Sequence, residues 1–275
     1  MSALSIPTLE LNKGVLMPVV GLGVYQVPPG RRTRETVRSA LELGYRHVDT
    51  ARIYGNERDV ADGIRESGIP RREVFVTTKL WNSDHGYDAA LRAFDESVKR
   101  LGGDPPDLYL IHFPVQRVRA DSWRALTRLY EDRRVRAIGV SNYTVRHLEE
   151  LLVSSPVVPV VNQVELHPFL VQSSLRAFCR KRGILVEAYS PLVKGERMEH
   201  PTLKRIAAAH GRTPAQVLIR FCIQHGLVAI PKSVRPERMA ENASVFDFAL
   251  SREDMTELDQ LDEDYRTDWD PTSVP

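Results

Sequence analysis

Short apolar runs alternate with amphipathic stretches along most of the chain. Residues 19–23 (Val-Val-Gly-Leu-Gly) read as a first strand, and 33–43 as a helix with Val37, Ala40 and Leu41 on its apolar side. A strand over 46–49 is followed by a helix over 56–66, with Asn56 as its expected cap. The next strand covers 73–78. Its helix, 88–101, places Leu91, Phe94, Val98 and Leu101 on one side. Strand 108–111 precedes a helix over 122–130, strand 137–140 a helix over 144–153, and strand 158–163 a helix over 173–182. Strands at 185–189 and 227–230 complete the series. Strands that alternate with helices form βαβ units and a parallel sheet. Eight such strands in 275 residues predict an α/β fold closed into a (β/α)8 TIM barrel, one domain over residues 1–275.

Two places depart from the repeat. Residues 7–20 carry Leu9, Leu11, a polar Asn12-Lys13-Gly14 turn, then Val15 and Leu16. This predicts an N-terminal β-hairpin that covers the lower end of the barrel. Extra helices crowd the C-terminal part: 202–210, then 214–224 with Pro214 in the first turn behind Thr213, then a capped helix from Ser251 to about residue 261. Residues 264–275 read as an irregular tail.

Composition narrows the field without choosing a function. Hydrophobic content of 42% and charged content of 27% are those of an ordinary globular protein. A net charge of +2, with basic residues spread along the chain, gives no reason to expect a nucleic-acid partner. No apolar run is long enough to span a bilayer and no secretory signal is evident, so the expected location is the cytoplasm. Cys179 and Cys222 lie in helix-like segments without metal-ligand spacing and read as buried thiols, and no metal site is expected.

The chemistry gathers at the strand ends. Asp49, Lys79 and His112 each follow a short apolar run, and Tyr54 follows Asp49 closely. Titratable residues at the ends of successive parallel strands are how a barrel builds an active site. An ammonium beside a phenol is one way to make tyrosine a usable proton donor. Taken singly, each has a plainer reading as packing or as a surface ion pair. Gly21-Leu-Gly23 is only the start of a dinucleotide fingerprint, because position 26 is Gln. A stronger phosphate candidate is Ile230-Pro-Lys-Ser-Val-Arg-Pro-Glu-Arg238, which follows the last strand and opens a helix near Pro236. As charge alone it could equally be a solvated loop.

These segments resemble the aldo-keto reductases over nearly the whole chain, most closely the short microbial members of the diketogluconate and glyoxal reductase type. The resemblance rests on residues 44–57, 77–81, 107–112, 139–142, 162–168 (Asn-Gln-Val-Glu-Leu-His-Pro), 188–192 (Ala-Tyr-Ser-Pro-Leu) and 230–234. It implies NADPH-dependent reduction of aldehydes and ketones in a barrel that binds NADP(H) across its mouth. Asp49, Tyr54, Lys79 and His112 match the family's catalytic residues. Tyr54 would be the proton donor, with Lys79 lowering its pKa, Asp49 holding Lys79, and His112 orienting the carbonyl. Ser141, Asn142 and Gln163 match the groups that hold the nicotinamide carboxamide, and Tyr189 matches the ring stacked on it. Ser190 and Leu192 match positions near the pyrophosphate. Lys232, Ser233, Val234 and Arg238 match the 2′-phosphate segment, with Glu241 and Asn242 near the adenine. Val24 stands where many relatives have threonine. Tyr25, Trp81, His112 and Phe113 match substrate-pocket positions. The loop after Phe113 and the tail are short compared with longer relatives. That implies an open pocket for several small carbonyl or dicarbonyl compounds, and since no feature of the sequence demands more than one copy, a monomer is expected. Two rival readings stay open: a lyase using Lys79 as a Schiff base, and a non-catalytic nicotinamide-binding subunit.

Overall fold

A computed structural model of the chain describes residues 5–11 and 14–275. Eight strands form one parallel sheet: β3 (Leu22–Gly23), β4 (His47–Asp49), β5 (Phe75–Leu80), β6 (Leu108–Ile111), β7 (Ala137–Ser141), β8 (Val161–Glu165), β9 (Leu185–Tyr189) and β10 (Val228–Ala229). Each strand pairs with the next in sequence. A bridge between Val20 and Ala229 closes the ring. The Gly21 N–H donates to the Ala229 carbonyl and the Ala229 N–H to the Val19 carbonyl, both at 2.9 Å. The predicted barrel is therefore present.

Helices α1 (Arg31–Glu42), α2 (Glu57–Glu66), α3 (Tyr87–Arg100), α4 (Arg119–Glu131), α5 (Val145–Ser154) and α6 (Ser173–Lys181) return the chain between strands. Two helices, α7 (Pro201–Ala209) and α8 (Pro214–Gln224), separate β9 from β10, and α9 (Pro236–Ala243) and α10 (Arg252–Asp259) follow. Thr144, Thr213 and Ser251 cap α5, α8 and α10 through their side chains. Asn56 stands at the N-cap of α2 as expected, and its carbonyl accepts from the Val60 N–H at 3.0 Å, but its side chain makes no capping bond. Its amide accepts from the Thr50 hydroxyl at 2.7 Å and donates to the Val24 carbonyl at 3.1 Å, which fixes the loop that carries Tyr54. The buried face of α3 is Ala90, Ala93, Phe94 and Ser97, a rotation of the expected stripe that leaves Leu91 and Val98 at its margin.

Three strands begin two or more residues later than expected, β3 among them, which starts at Leu22 instead of residue 19. β5 begins two residues late, after a 3-10 turn whose Arg71 bonds Asp107 at 2.9 Å, and it runs on through Lys79. β8 begins only at Val161, because Pro159 has no N–H to give a ladder.

The hairpin forms as expected, with β1 (Thr8–Glu10) antiparallel to β2 (Leu16–Pro18). The predicted turn at Asn12 and Lys13 lies outside the described residues. Leu16 is exposed, and Val15 and Met17 are the buried pair. They pack with Phe75, Leu108, Ala137, Val161 and Val228, which are the first residues of their strands. The lower mouth is thus sealed by apolar contact, and the opposite mouth is left for chemistry.

Candidate active site

The upper ends of β4, β5 and β6 bring Asp49, Lys79 and His112 together, and the 3-10 turn after β4 (Arg52–Tyr54) adds Tyr54. The Lys79 ammonium is fully buried. It donates to Asp49 Oδ1 at 2.6 Å and to the Thr50 carbonyl at 3.0 Å, and lies 5.2 Å from the centre of the Tyr54 ring. His112 stands edge-on to Tyr54, with ring centres 5.8 Å apart, and stacks on Phe113 at 4.9 Å.

Asp49, Tyr54 and His112 line a cavity of about 970 Å³ that runs from Trp81 and Phe113 to α9, and Lys79 lies behind its wall. Ser141, Asn142 and Gln163 form its middle. The Ser141 hydroxyl donates to the Gln163 carbonyl at 2.9 Å, and the Tyr189 hydroxyl to Asn142 Oδ1 at 2.8 Å. Both hydrogens of the Gln163 amide are engaged, one by Asp49 and one by Glu187, each at 2.8 Å. That leaves the oxygen of the Gln163 side chain as its group for a ligand. At the far end stand Ser190, Leu192, Lys232, Ser233, Val234, Arg238, Glu241 and Asn242. Lys232 and Arg238 are exposed and have no ion-pair partner among the described residues, and Glu241 accepts from the Thr213 hydroxyl at 2.6 Å.

Val24 departs from the expected set. Its side chain is fully buried in the core, and it is absent from the cavity wall. Gly21 and Gly23 also have structural explanations. A Cβ on Gly21 would lie 2.5 Å from the buried His47 ring, and one on Gly23 would lie 3.0 Å from the Ile230 carbonyl across the closing seam. The partial glycine fingerprint is a packing requirement of the barrel.

Electrostatically, the Tyr54 phenol is held well above its ordinary pKa, first by burial and then by the Asp49 carboxylate. This reverses the expectation that Lys79 lowers it: burial outweighs the ammonium, and Asp49 adds to the rise. Burial, with Lys79 adding, holds the His112 imidazole well below its usual value, so the ring is neutral.

From sequence the tail reads as short, with neither Asp268 nor Trp269 assigned to the site, yet both line the cavity. Asp268 accepts from the Ser190 hydroxyl at 3.0 Å and from Lys194 at 2.8 Å, and Trp269 meets Phe113 edge-on at 4.9 Å. Glu165 fastens this segment by accepting from the Thr267 N–H at 2.7 Å and the Asp268 N–H at 3.1 Å. A tryptophan in an otherwise polar tail was the available signal.

With this geometry in place, residues 20–263 match the Aldo/keto reductase family model. The chain belongs to the aldo/keto reductase family. It is 50% identical over 267 residues to the glyoxal reductase of Bacillus subtilis (strain 168), covering 97% of both chains. It is 52% identical over 266 residues to the 9,11-endoperoxide prostaglandin H2 reductase of Trypanosoma cruzi (strain CL Brener), covering 96% of this chain and 94% of that one. The solved structure of a point mutant of Gox0644 in complex with NADPH superposes with a TM-score of 0.93 at 45% identity, covering 98% of this chain and 99% of that one. The chain is an oxidoreductase of this family.

Proposed function

We propose that the cleft binds NADPH along its length and that Tyr54 protonates a small aldehyde or ketone as it is reduced to the alcohol. One observation carries this reading. The partly buried Tyr54 phenol, above the buried Lys79–Asp49 pair, lines the same cavity as two unpaired cations, Lys232 and Arg238. The donor set fits the cofactor. Lys232, Ser233 and Arg238 suit a 2′-phosphate, which carries nearly two negative charges. Ser141, Asn142 and Gln163 offer hydroxyl and amide groups to a carboxamide. NADPH, when bound, supplies the hydride.

The chain's own residues supply the proton and the field. Tyr54, neutral at physiological pH, holds its hydrogen toward the carbonyl oxygen. As it gives that hydrogen up, negative charge develops on the phenol, and the nearby Lys79 ammonium stabilises it. Lys79 therefore acts on the transition state and leaves the resting acid intact. Asp49 and the Thr50 carbonyl hold Lys79 in one place. Neutral His112 positions the carbonyl by a hydrogen bond. Tyr25, Trp81 and Phe113 form the substrate end, and Trp269 joins them.

The Schiff-base reading loses support here, because Lys79 is enclosed and committed to Asp49 and Thr50. NADPH oxidation matched to loss of carbonyl, over a panel that includes glyoxal, tests the proposal. NADPH binding without turnover would favour the non-catalytic subunit. Among the described residues no helix is long and apolar enough to cross a membrane. The proposal has the whole chain working as one domain, a cytoplasmic monomer, which light scattering and cell fractionation would check.

A further inference from the structure

Beneath the four residues lies a second carboxyl group. Glu187 sits in the middle of β9 and is fully buried. Its Oε2 accepts from the Gln163 amide at 2.8 Å, and the same amide bonds Asp49 Oδ2 at 2.8 Å. Two carboxyl groups therefore share one neutral donor. Only Asp49 also receives a cation, Lys79. Glu187 Oε1 has no donor among the described residues. The titratable groups that face it are His47 and Asp49 on β4 and Lys79 on β5. Its register partner on β10 is the apolar Val228.

An ionised carboxylate fits this place badly. One oxygen would be buried without a donor, and the charge would lie beside that of Asp49. A protonated carboxyl fits well. Its carbonyl oxygen can take the Gln163 bond, and its O–H can face His47 Nε2, 3.6 Å from Oε1 and just beyond hydrogen-bond length. Burial keeps that imidazole neutral by pulling its pKa down to about 3, and its Nε2, which also lies 3.3 Å from the Thr77 hydroxyl, faces both groups.

We infer that Glu187 is a positioning residue that works as an uncharged acid, locking the Gln163 amide and leaving Asp49 as the only anion beside Lys79. Burial, helped by the Asp49 charge, pushes the Glu187 carboxyl up to about 8. Below that pH the acid form persists and Lys79 answers to one anion. Above it a second anion appears next to Asp49. That anion binds the ammonium more tightly and opposes charge on Tyr54, so carbonyl reduction falls as pH rises through this region. The inference rests on Tyr54 being the proton donor.

The test compares the parent, Glu187→Gln and Glu187→Leu, with NADPH and glyoxal as the probes. The kcat/KM of the parent should bend downward near pH 8, by roughly tenfold per further pH unit. Glu187→Gln should keep the neutral rate within about threefold and lose the bend, since an amide preserves the acceptor and cannot ionise. An unchanged bend in Glu187→Gln overturns the inference. Glu187→Leu releases the Gln163 amide and should weaken NADPH binding by roughly tenfold, one hydrogen bond's worth. Unaltered NADPH affinity in Glu187→Leu would remove the positioning role. Infrared spectroscopy gives an arm that needs no turnover. The parent should show the band of an un-ionised carboxyl at neutral pH, fading as pH rises through 8 and missing from Glu187→Gln; a parent without that band overturns the inference. Should glyoxal not be reduced at all, the binding and infrared arms still decide the state of Glu187.

Discussion

At the floor of the cleft Lys79 is buried and bonded to Asp49 and Thr50, whereas at the rim Lys232 and Arg238 are exposed and unpaired. The floor holds its charges in fixed positions before any ligand arrives, which is what stabilising a developing charge requires. The rim keeps its cations free, in water, until an anion supplies the missing partner. Pre-organisation thus serves the chemical step, and unsatisfied charge serves binding. Most other arginines in the molecule are already paired, as Arg71 is with Asp107 and Arg100 with Glu57.

The comparison breaks most visibly at the floor. Tyr54→Phe keeps the ring and removes the acid, so the reductase rate should fall by roughly two to four orders of magnitude while NADPH affinity stays unchanged. Steady-state rates within a few-fold of the parent would remove Tyr54 from its role. Lys79→Met should damage the rate comparably and also leave Asp49 as an unpaired buried charge. Losing one partner of a buried pair costs about 3–5 kcal/mol, which chemical denaturation would measure. A variant with parental stability would mean that the pair is weaker than its 2.6 Å geometry implies.

The rim should give a smaller, cofactor-specific effect. Arg238→Ala should weaken NADPH by roughly ten- to a hundredfold, at about 1.5–3 kcal/mol for a charge-assisted bond, and leave NADH little changed. Dissociation constants for both cofactors check this, with Arg235→Ala as the milder control. Equal weakening of the two would assign Arg238 to the pyrophosphate or the fold. Asp268→Asn should shift affinity the other way. The tail carboxylate lies on Ser190 and Lys194, where the pyrophosphate is expected, so neutralising it should tighten both cofactors by roughly two- to fivefold. Weaker binding would make Asp268 a helper. The smallest expected change is none. No three His, Cys, Asp or Glu among the described residues are placed to hold a metal, and dialysis against a strong chelator should leave the rate intact.

The parts of this molecule that were legible in sequence are those set by local pattern. β6, β9 and α8 match the expected bounds, because an apolar run or a Thr-Pro start carries its own boundary. Motif resemblance brought forward most of the cleft residues described above, and it also brought forward Val24, which lies in the core instead. What escaped depends on distant partners. The Asp268–Trp269 segment is placed by Glu165, about a hundred residues earlier, and no periodicity encodes that. The direction of the Tyr54 shift is set first by burial and then by the Asp49 carboxylate, which depend on the packed fold and not on the motif. Glu187 was half visible. A carboxylate two residues before Tyr189 in an apolar strand shares its face, and a charge in a barrel interior calls for a partner.

The closing seam sets the order in which this site can assemble. β3 and β10 are two residues each, and their join pairs Val20 with Ala229 across most of the chain. Such a join carries a large loop-closure entropy and little ladder to offset it. We therefore expect this join to form late in folding, since its closure entropy comes before its contacts can offset it. Tyr25 follows one side of the seam and Lys232 the other. The substrate end and the phosphate clamp therefore come into register only when the ring shuts. Amide exchange at Gly21 and Ala229 should run faster than at Leu110 in β6, and ligand that spans the seam should slow it by tying its edges together.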